Sequence, residues 1–220
     1  MSLFAATQTK TTSWPINVGA EGIAAAQFAR CGFDVLVQSG HDKPWYDLVI
    51  TKAGNLLKVS VKASDDGGWS LTHSYQRRVD PTGKKTDCHR AIDLWLDCQG
   101  SRTVCCLVQF KGVSIDQLPR IYLASPSELA LRMRDTADRL SHAILYEQYE
   151  WTSPESGARV AEALPSEWLF SLARIQELLS REASEGVSGH SMPVRSHASA
   201  RTWSASAEPR SRELQVVLSA

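Results

Sequence analysis

Two short apolar runs, Asp47-Leu48-Val49-Ile50 and Leu57-Lys58-Val59-Ser60-Val61-Lys62, constrain this chain more than any other stretch. They are rich in β-branched and aliphatic residues, and Lys52-Ala53-Gly54-Asn55 between them carries turn chemistry, so the pair predicts a β-hairpin. Side chains alternate along a strand. Leu57, Val59 and Val61 therefore share one face, and Lys58, Ser60 and Lys62 the other. A lysine and a serine on the inner half of a strand are costly unless something anionic or metallic faces them. Two readings follow: a site, or an ordinary hairpin whose polar face is solvated.

The rest of the chain supplies a domain around that hairpin. Before it, Val18 to Arg30 is alanine-rich, with Asn17 as a cap and Gly32 as a stop, and predicts a helix of three to four turns on which Val18, Ala25 and Ala29 align, with Ile23 and Phe28 more loosely. Phe33 to Gln38 predicts a strand and Ser39 to Pro44 a loop. After the hairpin, Trp69 to Thr72 predicts a brief strand. His73 to Arg90 holds Arg77, Arg78, Lys84, Lys85 and Arg90 against Asp80 and Asp87, and with Pro81 and Gly83 it reads as a locally basic loop. Ala91 to Leu96 fits helix or strand equally.

Thr103 to Phe110 is continuously apolar, the pattern of a strand buried on both faces, and Arg120 to Ala124 is another strand. Ser125 caps a helix with Pro126 in its first position, running to about Arg134. His142 to Trp151 predicts a late strand. Glu167 to Leu179 predicts a closing helix with Leu169, Ile175, Leu178 and Leu179 in the core. Nine serines and six alanines fall in 181–220, which reads as a disordered tail, and 1–12 as a flexible N-terminus, leaving 13–180 as one domain. The fold class is α/β, a mixed sheet of four to five strands flanked by helices.

Composition narrows the function classes. Lys plus Arg and Asp plus Glu are both 24, so any basic surface is local rather than global. Five cysteines without a C-x-x-C pair read as reduced thiols, with Cys105-Cys106 as strand packing. Met1 to Thr12 does not have the pattern of a signal peptide, and no run approaches the roughly 18 apolar residues of a membrane span. The expectation is a cytoplasmic protein with no membrane partner. His41, His73 and His89 have no helical or triad partner in the sequence and read as loop or packing histidines. Trp45 and Tyr46 read as core, with base stacking as the alternative.

An acid on the first helix, an acid entering a central strand and a next strand ending in Val-Lys form an ordered set: Glu21, Asp47, Ser60 and Lys62. In Gly19-Ala20-Glu21-Gly22, Gly32-Phe33-Asp34-Val35-Leu36, Tyr46-Asp47-Leu48-Val49-Ile50 and Leu57 to Lys62, the chain resembles the PD-(D/E)xK nuclease superfamily. The nearest likeness is to its branch of Holliday-junction resolvases and an intron-encoded homing endonuclease. The resemblance spans residues 16–64 and, more loosely, the strand, strand, helix order of 104–128.

It implies a restriction-endonuclease-like fold and a metal-dependent DNA endonuclease. Asp47 would be a ligand for Mg²⁺ or Mn²⁺, Glu21 a ligand directly or through water, and Lys62 the catalytic lysine. Carboxylates are hard oxygen ligands suited to Mg²⁺, and a bound metal activates water for attack on phosphorus. The basic stretch, with Arg77, Arg78, Lys84, Lys85 and Arg90, would contact phosphates without reading sequence. By analogy with nucleases that dimerise to cut both strands, the assembly would be a homodimer.

The family's acid two residues before the lysine is Ser60 here. Three outcomes follow: a water-mediated contact from Ser60, a ligand from another residue, or loss of metal and activity. Gln38, whose amide oxygen can ligate, is the candidate substitute. Asp65 and Asp66 are close in sequence, but Asp-Asp-Gly-Gly reads as a turn. The alternative function is a catalytically inactive nuclease-fold protein that binds DNA or another protein. An accidental likeness in a small-ligand domain is the third.

Overall fold

The structure, a computed structural model, describes residues 13–38, 45–80, 87–153 and 156–185. The expectations for 1–12, His41, Lys84, Lys85 and most of the tail lie outside these residues. In chain order come α1 (Ser13–Arg30), β1 (Asp34–Val37), β2 (Leu48–Lys52), β3 (Asn55–Ser64) and β4 (Gly68–Trp69). Then follow α2 (His73–Val79), α3 (Cys88–Asp97), β5 (Thr103–Gln109), β6 (Arg120–Ala124) and α4 (Pro126–Leu140). The chain continues through β7 (Leu145–Tyr146), β8 (Gln148–Thr152), β9 (Arg159–Ala163), a 3₁₀ turn at Ser166–Trp168, and α5 (Leu172–Glu185).

Five strands form one mixed sheet in the order β1-β2-β3-β5-β6. The hairpin is as expected. β2 and β3 pair antiparallel from Leu48↔Val59 to Lys52↔Asn55, closed by Ala53 at φ +50° and Gly54 at φ +80°. Two left-handed residues match the right-handed twist of the strands they join. β3 then runs parallel to β5, which needs a long crossover, and β4, α2 and α3 provide it. β5 is buried at all seven positions, because its odd and even side chains enter two different cores.

One core packs the sheet against α1 and α5, through Ala20, Ala24, Phe28, Leu48, Ile50, Val59, Val61, Ile175 and Leu178. The other packs it against α2, α3 and α4, through Tyr75, Ile92, Trp95, Cys105, Leu107, Leu129 and Met133. Each fully buried Leu, Ile or Phe in these layers contributes roughly 1.5–3 kcal/mol, so the two layers hold the sheet, and the residues at its edge, in place.

Several expectations are corrected. α1 begins ahead of Asn17, since the N–H groups of a first turn need no partner and Pro15 is tolerated there. Its buried side is Ala20, Ala24 and Phe28, while Val18 is 48% exposed. The basic stretch is not a loop at 73–79 or 88–90, which are helical. Ala91 to Leu96 is helix. The late strand is two strands in separate two-stranded sheets, β4 with β7 and β8 with β9. α4 extends past Arg134 to Leu140, with the Ser125–Glu128 capping box in place. Leu169 is 46% exposed, outside the core, whereas Ile175 and Leu178 are buried in it. Residues 181–185 continue α5 rather than opening a tail. Among the described residues, no helix is long and apolar enough to cross a membrane.

Candidate active site

Asp47 stands where β2 and β3 part. Its backbone N–H donates to the Val59 carbonyl at 2.9 Å, and its carbonyl accepts from Gln38 N–H at 2.8 Å. One step further, β3 has lost its β2 partner, and the Val61 N–H donates instead to Asp47 Oδ2 at 2.7 Å. The carboxylate thus replaces a ladder bond and is aimed by it. Beyond this point β3 continues to Ser64 paired with β5 alone, which opens a notch beside Lys62.

The notch is an open cleft of about 390 Å³ lined by Asn17, Glu21, Asp47, Val61, Lys62 and Trp69 among others. Helix α1 brings Glu21, the start of β2 brings Asp47 and the last turn of β3 brings Lys62. These three sequence-derived residues therefore meet at one place. The backbone of Lys62 is fixed from the other side, where Trp69 Nε1 donates to its carbonyl at 3.0 Å. Trp69 in turn packs edge-on to Tyr122, whose hydroxyl donates to buried Glu147 at 2.8 Å, and Arg120 adds two hydrogen bonds to the same carboxylate.

Ser60 occupies a different setting. The polar side of β3 is not simply solvated: between half-buried Lys58 and Lys62, Ser60 is 3% exposed. It lines a second crevice of about 250 Å³, which shares Asp47 and Lys62 with the cleft and is walled by Trp45, Tyr75, Trp95, Gln99 and Cys105. Burial pushes the Cys105 thiol up to about 12, the Lys62 charge draws it down and the Asp47 charge pushes it further up, so it stays protonated near neutral pH and offers no thiolate. Gln38 lines neither depression. It neighbours Asp47 through the backbone.

Asp65 and Asp66 belong to the turn after β3. Ser64 Oγ accepts from Gly67 N–H and Gly68 N–H, and Asp66 Oδ1 accepts from Gly68 N–H and Ser64 Oγ, while Gly67 at φ +102° takes a backbone geometry closed to other residues. Among the described residues no group of three His, Cys, Asp or Glu side chains is placed to hold a metal ion. Two carboxylates with an open face nevertheless suit Mg²⁺, which keeps several waters and is completed by substrate phosphates rather than caged by protein.

Arg77 and Arg78 are exposed on α2, with the Arg78 guanidinium 5.2 Å from the Tyr75 ring centre, and Arg90 is exposed on α3. His73 is exposed on α2, and His89, exposed on α3, is 2.8 Å from Asp138. Trp45 is 63% exposed, not core. Tyr46 is half-buried under the Lys58 ammonium, 5.8 Å from its ring centre.

A larger depression of about 620 Å³ lies at the start of α4. Its Glu128 is bonded to Arg174 at 2.6 Å and to Arg181 at 2.8 Å, so its charges are spent on one another. Trp69, Tyr75, Trp95 and Gln99 also line these depressions, and the sequence reading, with Trp69 to Thr72 as strand, His73 to Arg90 as loop and Ala91 to Leu96 as helix or strand, did not single them out.

No protein-family model matches the chain, and no curated protein matches it. Among solved structures, the chain is similar to a bacterial homing endonuclease, I-Ssp6803I, at 13% sequence identity and a TM-score of 0.41, over 80% of this chain and 99% of that one.

Proposed function

We propose that this protein is a metal-dependent endonuclease that hydrolyses DNA phosphodiester bonds with water as the nucleophile. The observation that carries the reading is that Glu21, Asp47 and Lys62, from three separate elements, line one open cleft. The sequence resemblance to PD-(D/E)xK nucleases assigns the same three residues to chemistry. Glu21 and Asp47 would hold Mg²⁺ or Mn²⁺, which when bound polarises a phosphoryl oxygen and lowers the pKa of a coordinated water. Val61 N–H keeps the Asp47 carboxylate oriented before substrate arrives, so no reorganisation is needed at that group. The Lys62 ammonium stabilises the negative charge that gathers on the phosphate as the bond to water forms. Arg77, Arg78 and Arg90 provide contacts to flanking phosphates, which give affinity without sequence information.

The neutral Ser60 favours a second reading, a nuclease-shaped module that binds DNA without cutting it. One assay separates the two. Supercoiled plasmid is incubated with the protein and Mg²⁺ or Mn²⁺, beside Asp47→Ala and Lys62→Ala. Nicking or linearisation by the wild type alone supports the enzyme. Equal retardation on a gel with no cutting by any of the three supports the binding module, and neither retention nor cutting removes both.

A further inference from the structure

The two edges of the main sheet are treated differently. At the β6 edge the chain closes the ladder itself: Phe170 N–H donates to the Ile121 carbonyl at 2.9 Å, and Leu169 bridges Tyr122. At the other edge, β1 is the outer strand and pairs, among the described residues, with β2 alone. Its aliphatic side chains stand open, with Leu36 60% and Val37 54% exposed. Asp34-Val35-Leu36-Val37 contains neither proline nor lysine, the residues that usually guard an edge against pairing with another strand.

The register says which strand fits there. Gln38 N–H donates to the Asp47 carbonyl at 2.8 Å, and backbone groups alternate sides along an antiparallel ladder. Asp34, Leu36 and Gln38 therefore turn their backbone groups to β2, and Val35 and Val37 turn theirs to the outer edge. A second β1, related by a two-fold axis through Leu36, meets that pattern unaltered. Val35 exchanges both hydrogen bonds with Val37 of the other copy, and Val37 with Val35. Between them, the exposed Leu36 faces Leu36 of the other copy as a non-hydrogen-bonded pair, where opposing side chains approach most closely. Charge agrees with this choice. Asp34 falls beside Gln38 of the other copy, whose amide donates to a carboxylate, whereas a parallel pairing in register would set Asp34 against Asp34.

We infer that β1 is the interface of a homodimer, an antiparallel β1–β1 pairing centred on Leu36 that joins two five-stranded sheets edge to edge. The contact is isologous, so it closes at two copies. It is small, and a dissociation constant in the micromolar range follows. The pairing does not depend on the nuclease reading. Combined with it, the strand spacing and rise set the two Asp47 positions about 20 Å apart, so one dimer brings two sites to one duplex.

The test is sedimentation of the full chain without DNA, from about 1 to about 200 µM, where a monomer–dimer equilibrium is expected. Leu36→Lys and Leu36→Glu, at an exposed position, should each weaken the dimer at least about tenfold, because like charges then meet across the axis, and an equimolar mixture of the two should dimerise again. Leu36→Cys should crosslink to itself on mild oxidation, since the Cα atoms of a non-hydrogen-bonded pair lie about 4.5 Å apart, within disulfide reach, while Val35→Cys should crosslink no more than the wild type. A wild type that stays monomeric over this range, a dimer that Leu36→Lys leaves intact, or charge variants that do not recombine in the mixture overturns the β1 interface. Plasmid cutting in Mg²⁺ reads the nuclease function separately, so either idea can fail without the other.

Discussion

The Val61 N–H donates to Asp47 Oδ2 at 2.7 Å, so one carboxylate both closes the β2–β3 ladder and faces the cleft. Its structural and chemical duties are separable by substitution. Asp47→Asn keeps an oxygen acceptor for Val61 and should retain wild-type stability, whereas Asp47→Ala strands a backbone donor and should lose about 1–3 kcal/mol in denaturant melts. Both should lose cleavage by about 10²-fold or more, because both remove the charge.

Lys62 should matter to rate far more than to affinity. Lys62→Met keeps the aliphatic stem and removes the ammonium, and it should lower single-turnover cleavage by about 10²-fold while changing the DNA dissociation constant only a few-fold. A loss confined to binding would make Lys62 a phosphate anchor instead.

Replacing Ser60 tests what the neutral hydroxyl does for the site. Ser60 lies across from Asp47, one step beyond the Leu48↔Val59 pair, and is buried. Ser60→Asp therefore sets two carboxylates together in a poorly solvated place. The metal-free melting temperature should fall, and millimolar Mg²⁺ or Mn²⁺ should raise it more for the variant than for the wild type. A variant with no added metal response would show that position 60 does not face the metal-binding carboxylates.

The hairpin turn carries strain at Ala53, whose φ is +50°. The left-handed region costs an alanine about 1 kcal/mol relative to residues that favour it, and Ala53→Asn, the preferred first residue of this turn, should raise the melting temperature by about 2–4 °C. Differential scanning calorimetry reads the shift.

Acid sensitivity should draw on Glu147 together with Glu128 and Glu162, whose carboxyls are likewise held below the ordinary value. Burial raises the Glu147 carboxyl pKa, but the hydrogen bonds from Arg120 and Tyr122 outweigh that and hold it below the ordinary value. A depressed folded-state pKa contributes stability that is present above the unfolded value of about 4.3 and is lost as pH falls through the folded one. Glu147→Gln should cost about 2 kcal/mol near neutral pH and flatten the acid limb of a stability profile. Because Tyr122 packs on Trp69, which bonds the Lys62 carbonyl, cleavage should weaken alongside.

Legibility followed the range of the interactions involved. The hairpin, β5 and the Ser125 cap were readable because a strand's alternation, a run buried on both faces and a capping box are set within a few residues. The meeting of Glu21, Asp47 and Lys62 was readable as a resemblance, and its cause lies in the packing of α1 on the β2–β3 hairpin. The walls of the crevice were not. Cys88, Ala91, Ile92 and Trp95 do repeat at helical spacing, but a window opened at Ala91 cuts that period short, and basic residues around it gave the look of a loop. Trp45 read as core on residue type. Its 63% exposure is set by tertiary packing, which residue type does not report.

The central claim is that Glu21, Asp47 and Lys62 together hydrolyse DNA with a bound metal. The most direct measurement is the single-turnover cleavage rate of a labelled duplex as Mg²⁺ is titrated, for wild type, Asp47→Asn and Lys62→Met. The account predicts a rate that rises with Mg²⁺ to a plateau, vanishes in chelator and falls about 10²-fold or more in each variant. Cleavage equal in all three proteins, or no cleavage at any Mg²⁺ concentration by a wild type that still binds the duplex, would contradict it.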